Sequence, residues 1–166
     1  DYLWAHNYGN IKNDKCTSIR IDSIKNIYVA GYFGQSIDFG QSWSLFGTGQ
    51  KNQFLIKKDS AGTTQWARRI GNSNCQELIF DIDEKSNIYI IGSFKSSVDF
   101  DPGDGKRMLS AGWDGDAFVE KLNDNGEFVW VNQIGNDHSD KTASIATGYN
   151  GAIYITGTFI DTIDIN

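Results

Sequence analysis

The stretch NIYIIGSF, from Asn87 to Phe94, decides the fold of this chain because close copies of it occur on either side. NIYVAGYF begins at Asn26 and AIYITGTF begins at Ala152. The central tyrosines are 61 residues apart (28 to 89) and then 65 residues apart (89 to 154). A repeat of this length determines the architecture of the whole chain and has to be settled before any local assignment. The apolar and β-branched residues of each copy predict a strand.

A second repeated motif carries a tryptophan and ends in glycine, and its copies surround Trp4, Trp66 and Trp130. Each Trp is followed four positions later by Tyr or Ile, so both side chains lie on one face of a strand. Because these tryptophans recur with the repeat, we expect them to pack between neighbouring sheets. Two more strands, at 54–57 and 118–121, lead into DSAG and NDNG, which favour hairpin turns.

Each unit therefore contains four strands joined by short connections, and no window shows sustained helical periodicity. Four-stranded antiparallel sheets that repeat and stack face to face predict an all-β fold, the β-propeller. We place the outer strand of a preceding blade at 1–9, complete blades at 16–71 and 75–135, and a partial blade at 142–166. A two-sheet sandwich is the alternative, but it would not require a four-strand repeat.

A short extended piece also recurs in every unit, at 37–39, 98–100 and 163–165. Together the elements amount to about two and a half blades, whereas closed propellers have about four to eight. We therefore expect these residues to form part of a longer propeller. Self-association of short chains is the alternative, since an unpaired strand edge invites another chain.

Composition and charge limit the classes of partner. The 166 residues carry a formal net charge of −6, which argues against nucleic acid because phosphate binding needs a positive surface. No apolar run approaches the roughly 18 residues of a membrane-spanning helix, so we expect no membrane insertion. Cys16 and Cys75 lie in corresponding connections and differ from the residues aligned with them. We interpret them as unpaired thiols, with a bridge between repeats as the alternative.

The loop from Asp99 to Gly105 is the first candidate site. Asp99, Asp101 and Asp104 place three carboxylates on a Gly/Pro turn, and calcium favours several oxygen ligands on a flexible loop. The spacing is not that of an EF-hand. Asp99 also recurs as Asp38, which favours a structural role in bonding the amides of a turn. The two hypotheses for this loop are therefore a calcium site and a turn-stabilising carboxylate, with no other cofactor expected.

The loop around Trp113 is the second candidate site. Trp113 lies beside Asp114 and Asp116, and an exposed aromatic ring next to carboxylates can stack on a sugar and accept hydrogen bonds from its hydroxyls. The alternative is that Trp113 folds onto a neighbouring blade. No nucleophile motif or phosphate-binding glycine loop occurs in the chain. The residues alone therefore identify no catalytic site.

Several strings resemble the bacterial β-propeller repeat called the SBBP repeat. These strings are SVDFDPGDG from Ser97, AFVEKLNDNGEFVWVNQIG from Ala117, and NIYIIGSF. The resemblance covers nearly the whole chain, with departures at Cys75 and at 59–61. It implies secreted or surface-anchored bacterial proteins, many of them from Bacteroidota with sorting domains for type IX secretion. It implies no shared catalytic site.

We therefore expect an extracellular or cell-surface module that binds or supports other molecules and has no catalytic activity. Loops at one mouth of the ring would contact a polysaccharide or a partner surface protein, since binding residues concentrate on loops held by a rigid scaffold. One alternative is a lyase or glycoside hydrolase with its site at the mouth of the propeller. The other is an architectural component of a secretion or adhesion assembly.

Overall fold

A computed structural model describes residues 4–9, 13–40, 42–49, 51–135 and 139–160. The described part of the chain contains one 3₁₀ turn, Tyr149–Gly151, and no other helix. Its strands are β1 (Lys15–Ile21), β2 (Ile27–Phe33), β3 (Ser36–Asp38), β4 (Ser44–Phe46), β5 (Asn52–Lys58), β6 (Thr64–Ile70), β7 (Cys75–Ile82), β8 (Ile88–Phe94), β9 (Ser97–Asp99), β10 (Met108–Ser110), β11 (Asp116–Leu122), β12 (Phe128–Ile134), β13 (Lys141–Thr147) and β14 (Ile153–Thr158).

The long strands form sheets that repeat the same antiparallel order. The first sheet runs β1-β2-β5-β6 and the second runs β7-β8-β11-β12, with each strand hydrogen-bonded to the next. The third begins the same way, because β13 pairs with β14 as β1 pairs with β2. We call these sheets the first, second and third blades.

The recurrent short extended piece lies outside the blades. Residues 36–38 pair with 44–46 as the separate hairpin β3–β4, and β9–β10 is its counterpart in the second unit. Each hairpin is inserted between the second and third strands of its blade. Phe39, next to the first hairpin, and Phe100, next to the second, are buried against Phe54 and Phe118. The hairpins therefore cover the blades instead of extending them. The third copy, at 163–165, lies outside the described residues.

The central strands are buried on both faces because each blade is covered on both sides. All seven residues of β5 are buried, as are six of the seven in β8. One face of the second blade packs on the first blade in a shared core that includes Tyr28, Leu55, Phe80, Ile90 and Phe118. The opposite face packs on the third blade through Tyr89, Ile91, Val119, Ile145 and Ile155.

Two of the recurrent tryptophans, Trp4 and Trp66, join one repeat unit to the next, as expected from their periodicity. Trp66 in β6 is 5% exposed, and its indole N–H donates to the backbone oxygen of Asp124 in the β11–β12 turn, at 3.0 Å. Trp4 makes the same contact one unit earlier, donating to the backbone oxygen of Ser60 in the β5–β6 turn, at 3.1 Å. Trp4 therefore makes the contact expected of the outer strand predicted at 1–9, although the described residues 4–9 are not assigned to a strand.

We call β2 and β8, which carry the repeated motifs NIYVAGYF and NIYIIGSF, the marker strands. The turn before each of them is held by one aspartate. Oδ1 of Asp22 accepts the backbone N–H groups of Ile24 and Asn26, at 3.0 and 2.8 Å. Asp83 accepts the corresponding amides of Lys85 and Asn87, both at 2.9 Å. Such side-chain bonds shape a turn without using the ladder of the sheet. The identical pattern explains why both turns keep the same spacing before the tyrosine of the next strand.

We call the first strand of each blade, β1, β7 or β13, its inner strand. Glycines recur inside the marker strands because the inner strand of the same blade approaches them closely. A Cβ on Gly92 would lie 2.8 Å from the backbone oxygen of Gln76 and 2.9 Å from the ring of Phe118. A Cβ on Gly31 would likewise overlap the backbone oxygen of Lys15. The inner strand bulges opposite both glycines. A bulge or close approach is the meaning that a repeated glycine in a strand predicts.

The molecule is thus all β, with two complete four-stranded antiparallel blades and the inner half of a third. The predicted fold, an incomplete stretch of a β-propeller, is confirmed. The described residues include no helix that is long and apolar enough to cross a membrane. The ends of the predicted outermost segments, 1–3 and 161–166, lie outside the described residues.

Candidate functional site

The connections between strands fall at two opposite ends of the blades. Tight turns, at 22–26, 59–63, 83–87, 123–127 and 148–152, form one end, which we call the turn end. The longer connections lead into β5, β7, β11 and β13 at the opposite end, which we call the loop end. Both Trp113 and a cleft between the first two blades belong to the loop end.

The predicted ligand loop exposes its tryptophan but not its second aspartate. Trp113 is 99% exposed, so it does not fold onto a neighbouring blade. Asp116 is fully buried, and its Oδ2 accepts the side-chain amide N–H of Gln133 at 2.5 Å and the backbone N–H of Gly112 at 3.4 Å. Trp113 and Asp114 are therefore available to a ligand, whereas Asp116 supports the loop from beneath. Ligand binding by this loop stays a prediction.

The predicted calcium loop is shaped by hydrogen bonds from its own backbone. Oδ1 of Asp99 accepts the N–H groups of Asp101 and Arg107, at 3.2 and 2.8 Å, and Oδ1 of Asp101 accepts that of Gly103 at 2.8 Å. The turn-stabilising role expected for Asp99 is thus present. Within the part of the chain that the structure describes, no group of three or more His, Cys, Asp or Glu side chains is arranged to hold a metal ion.

Calcium binding by Asp99, Asp101 and Asp104 stays a prediction. Its test is a calorimetric titration of calcium into chelator-treated protein, with the melting temperature measured alongside. Heat and a raised melting temperature would support a calcium site. The absence of both would leave the turn-stabilising role alone.

The main candidate site is a cleft of about 400 Å³ at the loop end, between the first and second blades. Tyr32 and Lys51 contribute one wall, and the start of β7, including Gln76 and Glu77, contributes the other. The ammonium of Lys51 lies 5.0 Å from the centre of the Tyr32 ring. A cation over an aromatic face is attracted by the ring, so this contact favours a fixed arrangement of Lys51 and Tyr32.

The base of this cleft is rigid. The side-chain N–H of Gln53 donates to the backbone oxygen of Cys75 at 3.3 Å and so ties the third strand of the first blade to β7. Glu77 adopts a left-handed backbone, with φ of 56°, inside the bulge of β7. A non-glycine residue held in this region costs about 1–3 kcal/mol, and such residues cluster at binding sites. The cleft therefore presents an aromatic ring, a cation, a carboxylate and side-chain amides from a fixed frame.

A smaller cleft of about 160 Å³ repeats this arrangement between the second and third blades. Ser93 lies at the position of Tyr32, and Asp114, Lys95 and Lys141 supply its charges. Because Asp114 adjoins the exposed Trp113, this cleft and the predicted ligand loop form one continuous region of the loop end. The two clefts give the loop end a row of polar sites that differ in their aromatic content.

The inner strands are linked by a polar chain that crosses two blade boundaries. Arg20 of β1 donates from Nε to Oδ1 of Asp81 in β7, at 3.0 Å. Oδ2 of Asp81 accepts the backbone N–H and the hydroxyl of Thr147 in β13, at 2.8 and 3.1 Å. A charge-assisted bond of this kind is stronger than a neutral one. These hydrogen bonds between Arg20, Asp81 and Thr147 link the inner strands of all three blades.

One carboxyl group has a strongly raised pKa, but it lies inside the blade interface. Glu120 is fully buried, and neither of its carboxyl oxygens has a hydrogen-bond partner among the residues that the structure describes. Burial, with a contribution from the charge of Asp101, raises the pKa of Glu120 well above its ordinary value. Its full burial keeps it from solvent and from any ligand in the clefts. The raised pKa therefore gives no support to the enzyme alternative.

The two cysteines are both free thiols, in agreement with the preferred interpretation. Cys16 is exposed at the start of β1, whereas Cys75 is buried at the start of β7. Burial raises the pKa of Cys75 to about 12. A thiol with this pKa stays protonated near neutral pH and is unreactive.

Sequence reasoning missed the residues of the main cleft. Tyr32 aligns with Ser93, and the buried Glu120, which lies outside the cleft, aligns with Ile56. Both positions interrupt the repeat, and such an interruption is the signal that would have marked them. Glu77 carried no comparable signal, because its unusual backbone arises only from the bulge that β7 makes when it pairs with β8.

Comparison with known proteins agrees with a β-propeller-like repeat protein. The chain is 28% identical over 111 residues to an uncharacterized WD repeat-containing protein, L264, of Acanthamoeba polyphaga mimivirus. The match covers 58% of this chain and 8% of the length of that relative. The present chain contains a single Trp-Asp dipeptide, at Trp113, and it lies in a loop. No protein-family profile matches the chain.

Proposed function

We propose that this chain is a non-catalytic binding module that recognises its ligand at the loop end. The observation that carries the proposal is the cleft of about 400 Å³ between the first two blades. Tyr32 offers an apolar ring there, and Lys51, Gln76 and Glu77 surround it with charges and amides. Ligand sites commonly combine an apolar surface with a few fixed polar groups in this way.

The ligand class that we propose is a polysaccharide or the loop of a partner surface protein. Both present hydroxyl or amide groups beside small apolar faces, which suit an aromatic ring flanked by hydrogen-bonding side chains. The exposed Trp113 lies at the same end and would extend the contact along a chain-like ligand. The similarity to a WD repeat-containing protein supports a binding role but does not distinguish between the two classes.

The test uses an array of bacterial and plant polysaccharides. We expect binding to one class of glycan, and we expect Tyr32→Ser to weaken it at least tenfold by introducing the residue found at position 93. Phe46→Ser is the matched control, because Phe46 is 74% exposed and lies outside the cleft. The control should bind as the parent protein does.

The second arm of the test addresses a surface protein. A photo-reactive residue at position 51 should cross-link to one protein on intact bacterial cells, and Tyr32→Ser should reduce the yield. If neither glycan binding nor cross-linking depends on Tyr32, the proposal is wrong. A loss that Phe46→Ser shares would point to general damage of the surface and would also contradict it.

We further propose that the module is of the SBBP type and belongs to an extracellular or surface-bound bacterial propeller. The support is the resemblance of the repeats, which runs in register through both complete blades. The expected whole protein has additional blades and a terminal sorting signal. Surface proteolysis of intact cells, followed by mass measurement of the released native protein, tests both the location and the blade count.

A further inference from the structure

Tyr89 and Lys121 form a paired surface at the turn end, next to the third blade. The ammonium of Lys121 lies 5.0 Å from the centre of the Tyr89 ring. The Tyr89 hydroxyl donates to Oδ2 of Asp83 at 3.2 Å. Together with Asn150 and Gly151 these groups line an open cleft of about 540 Å³. We call this cleft the acceptor cleft.

The first blade contains the same pair with its occupant in place. The ammonium of Lys57 lies 5.3 Å from the centre of the Tyr28 ring, and the Tyr28 hydroxyl oxygen lies 3.3 Å from Oδ2 of Asp22. Here the β11–β12 turn of the next blade enters between them. Asp124 accepts the Tyr28 hydroxyl at 3.1 Å and forms an ion pair with Lys57. The Lys57 ammonium also donates to the backbone oxygen of Asp124 at 3.3 Å.

In the acceptor cleft this position is open. No carboxylate among the described residues reaches Lys121, although the Lys121–Tyr89 pair matches the Lys57–Tyr28 pair in sequence position and geometry. The internal counterpart therefore shows what covers such a pair, namely an acidic residue in a hairpin turn. The opposite charge of Lys121 favours the same kind of group.

Among the described residues, the strand edge beside this cleft is also unpaired. In the complete blades β2 and β8 are hydrogen-bonded on both sides, to β1 and β5 and to β7 and β11. Among the described strands, β14 pairs with β13 alone. Tyr154 of β14 is 66% exposed, whereas its counterparts Tyr28 and Tyr89 are 0% and 3% exposed. A strand added to β14 would pair as β5 does with β2.

We propose that this surface binds a β-hairpin of the repeat, whose first strand pairs with β14 and whose turn places an aspartate between Lys121 and Tyr89. The occupant is a hairpin from a further repeat unit, with the chemistry of β11, the Asn123–Gly126 turn and β12. Backbone hydrogen bonds to β14 supply affinity, and the ion pair with Lys121 sets the register of the hairpin. The proposal stands independently of any ligand at the loop end.

The test uses a fluorescent peptide of residues 116–134 and the intact chain, with anisotropy as the readout. We expect saturable binding that Asp124→Ala in the peptide weakens at least tenfold. Lys121→Met in the protein should weaken it to a similar extent, and Lys121→Arg should restore much of it. Lys85→Met is the matched control, because Lys85 lines the cleft but aligns with Ile24, which carries no charge.

Several outcomes would overturn the proposal. One is that the peptide shows no saturable binding to a protein whose circular dichroism and melting temperature are those of the folded chain. Another is that the peptide binds but its affinity does not change when Asp124 or Lys121 is replaced. Equal affinity for a turn-only peptide of residues 122–128 would show that no strand pairs with β14. A dimer that the hairpin peptide does not dissociate would assign the surface to a second copy of the chain.

Discussion

The indole N–H of Trp66 and the backbone oxygen of Asp124 are 3.0 Å apart and join the first blade to the second. Trp4 and Ser60 repeat this bond one unit earlier, at 3.1 Å. The acceptor is a main-chain oxygen in both cases, so this bond does not itself constrain the side chain at that turn position, and the Asp124 side chain has the separate role of pairing with Lys57. This explains why Ser60 and Asp124 differ although they have the same task.

Replacing Trp66 should weaken the interface between the blades. We expect Trp66→Ala to lower the free energy of unfolding by about 3–5 kcal/mol, because a large buried ring and its hydrogen bond are both lost. Urea denaturation measures the change. Trp113→Ala is the matched control, since Trp113 is 99% exposed and its loss should change stability by less than about 0.5 kcal/mol. Equal effects of the two substitutions would contradict the packing role of Trp66.

Replacing Glu120 should remove a pH dependence of stability. Burial raises the pKa of Glu120 in the folded protein above 4.5, its ordinary value, so the folded state holds this proton more tightly than the unfolded state. The tighter binding of this proton contributes to the free energy of unfolding. This contribution is fully present below about pH 4.5 and is lost as the pH rises toward the folded pKa, by up to about 1.4 kcal/mol per pH unit. Glu120→Ile, which copies Ile56 of the first blade, should therefore stabilise the protein more at pH 8 than at pH 5.

Denaturation of the parent and of Glu120→Ile at a series of pH values measures this difference. Glu84→Gln serves as the control, because the Glu84 side chain is exposed in a turn and its loss should leave the pH profile unchanged. A stability difference between parent and Glu120→Ile that stays constant from pH 4 to pH 8 would refute the assignment.

Adding a methyl group at Gly92 should disrupt the second blade. The new Cβ would lie 2.8 Å from the backbone oxygen of Gln76 and 2.9 Å from the ring of Phe118, and neither can move freely. We expect Gly92→Ala to cost about 1–3 kcal/mol, as overpacking usually does. The control is Gly103→Ala, whose Cβ would meet only the side chain of Asp101, at 3.1 Å. Thermal unfolding of both variants checks the prediction, and a fully stable Gly92→Ala would contradict it.

The two thiols should react at very different rates. Cys16 is exposed, whereas Cys75 is buried and has a pKa of about 12. With an aromatic disulfide reagent at pH 8 we expect one rapid equivalent from Cys16 and a second only after unfolding. Cys16→Ser should abolish the rapid phase and Cys75→Ser the slow one. If the unreduced native protein released no rapid equivalent, the thiols would instead be bridged.

The blades could be predicted from the repeat because the residues that recur in it are those that pack within and between blades. Residues such as Trp66 and Tyr89 recur where one blade meets the next, and a period-two pattern assigns them to a face. The short piece at 37–39 was harder to place, because an extended triplet does not show whether it joins a blade or forms its own hairpin. That choice depends on Phe39, which packs on Phe54 from outside the sheet.

The candidate sites were less predictable, because burial and neighbours decide which side chains are available. Trp113 and Asp114 are exposed, as the ligand-loop hypothesis requires, whereas the burial of Asp116 depends on the amide of Gln133 on the neighbouring strand. Tyr32 and Glu77 meet only when β7 packs against the first blade. No local pattern in the sequence reports that meeting.

The two tryptophan contacts among the described residues, Trp4 to Ser60 and Trp66 to Asp124, both run from one repeat unit to a turn of the following blade. Stability in such an array is dominated by interactions between nearest neighbours. A mechanical load applied to the two ends of the chain would therefore unfold the blades one after another. Each rupture would release a single indole from its carbonyl, giving the molecule a sawtooth resistance to stretching.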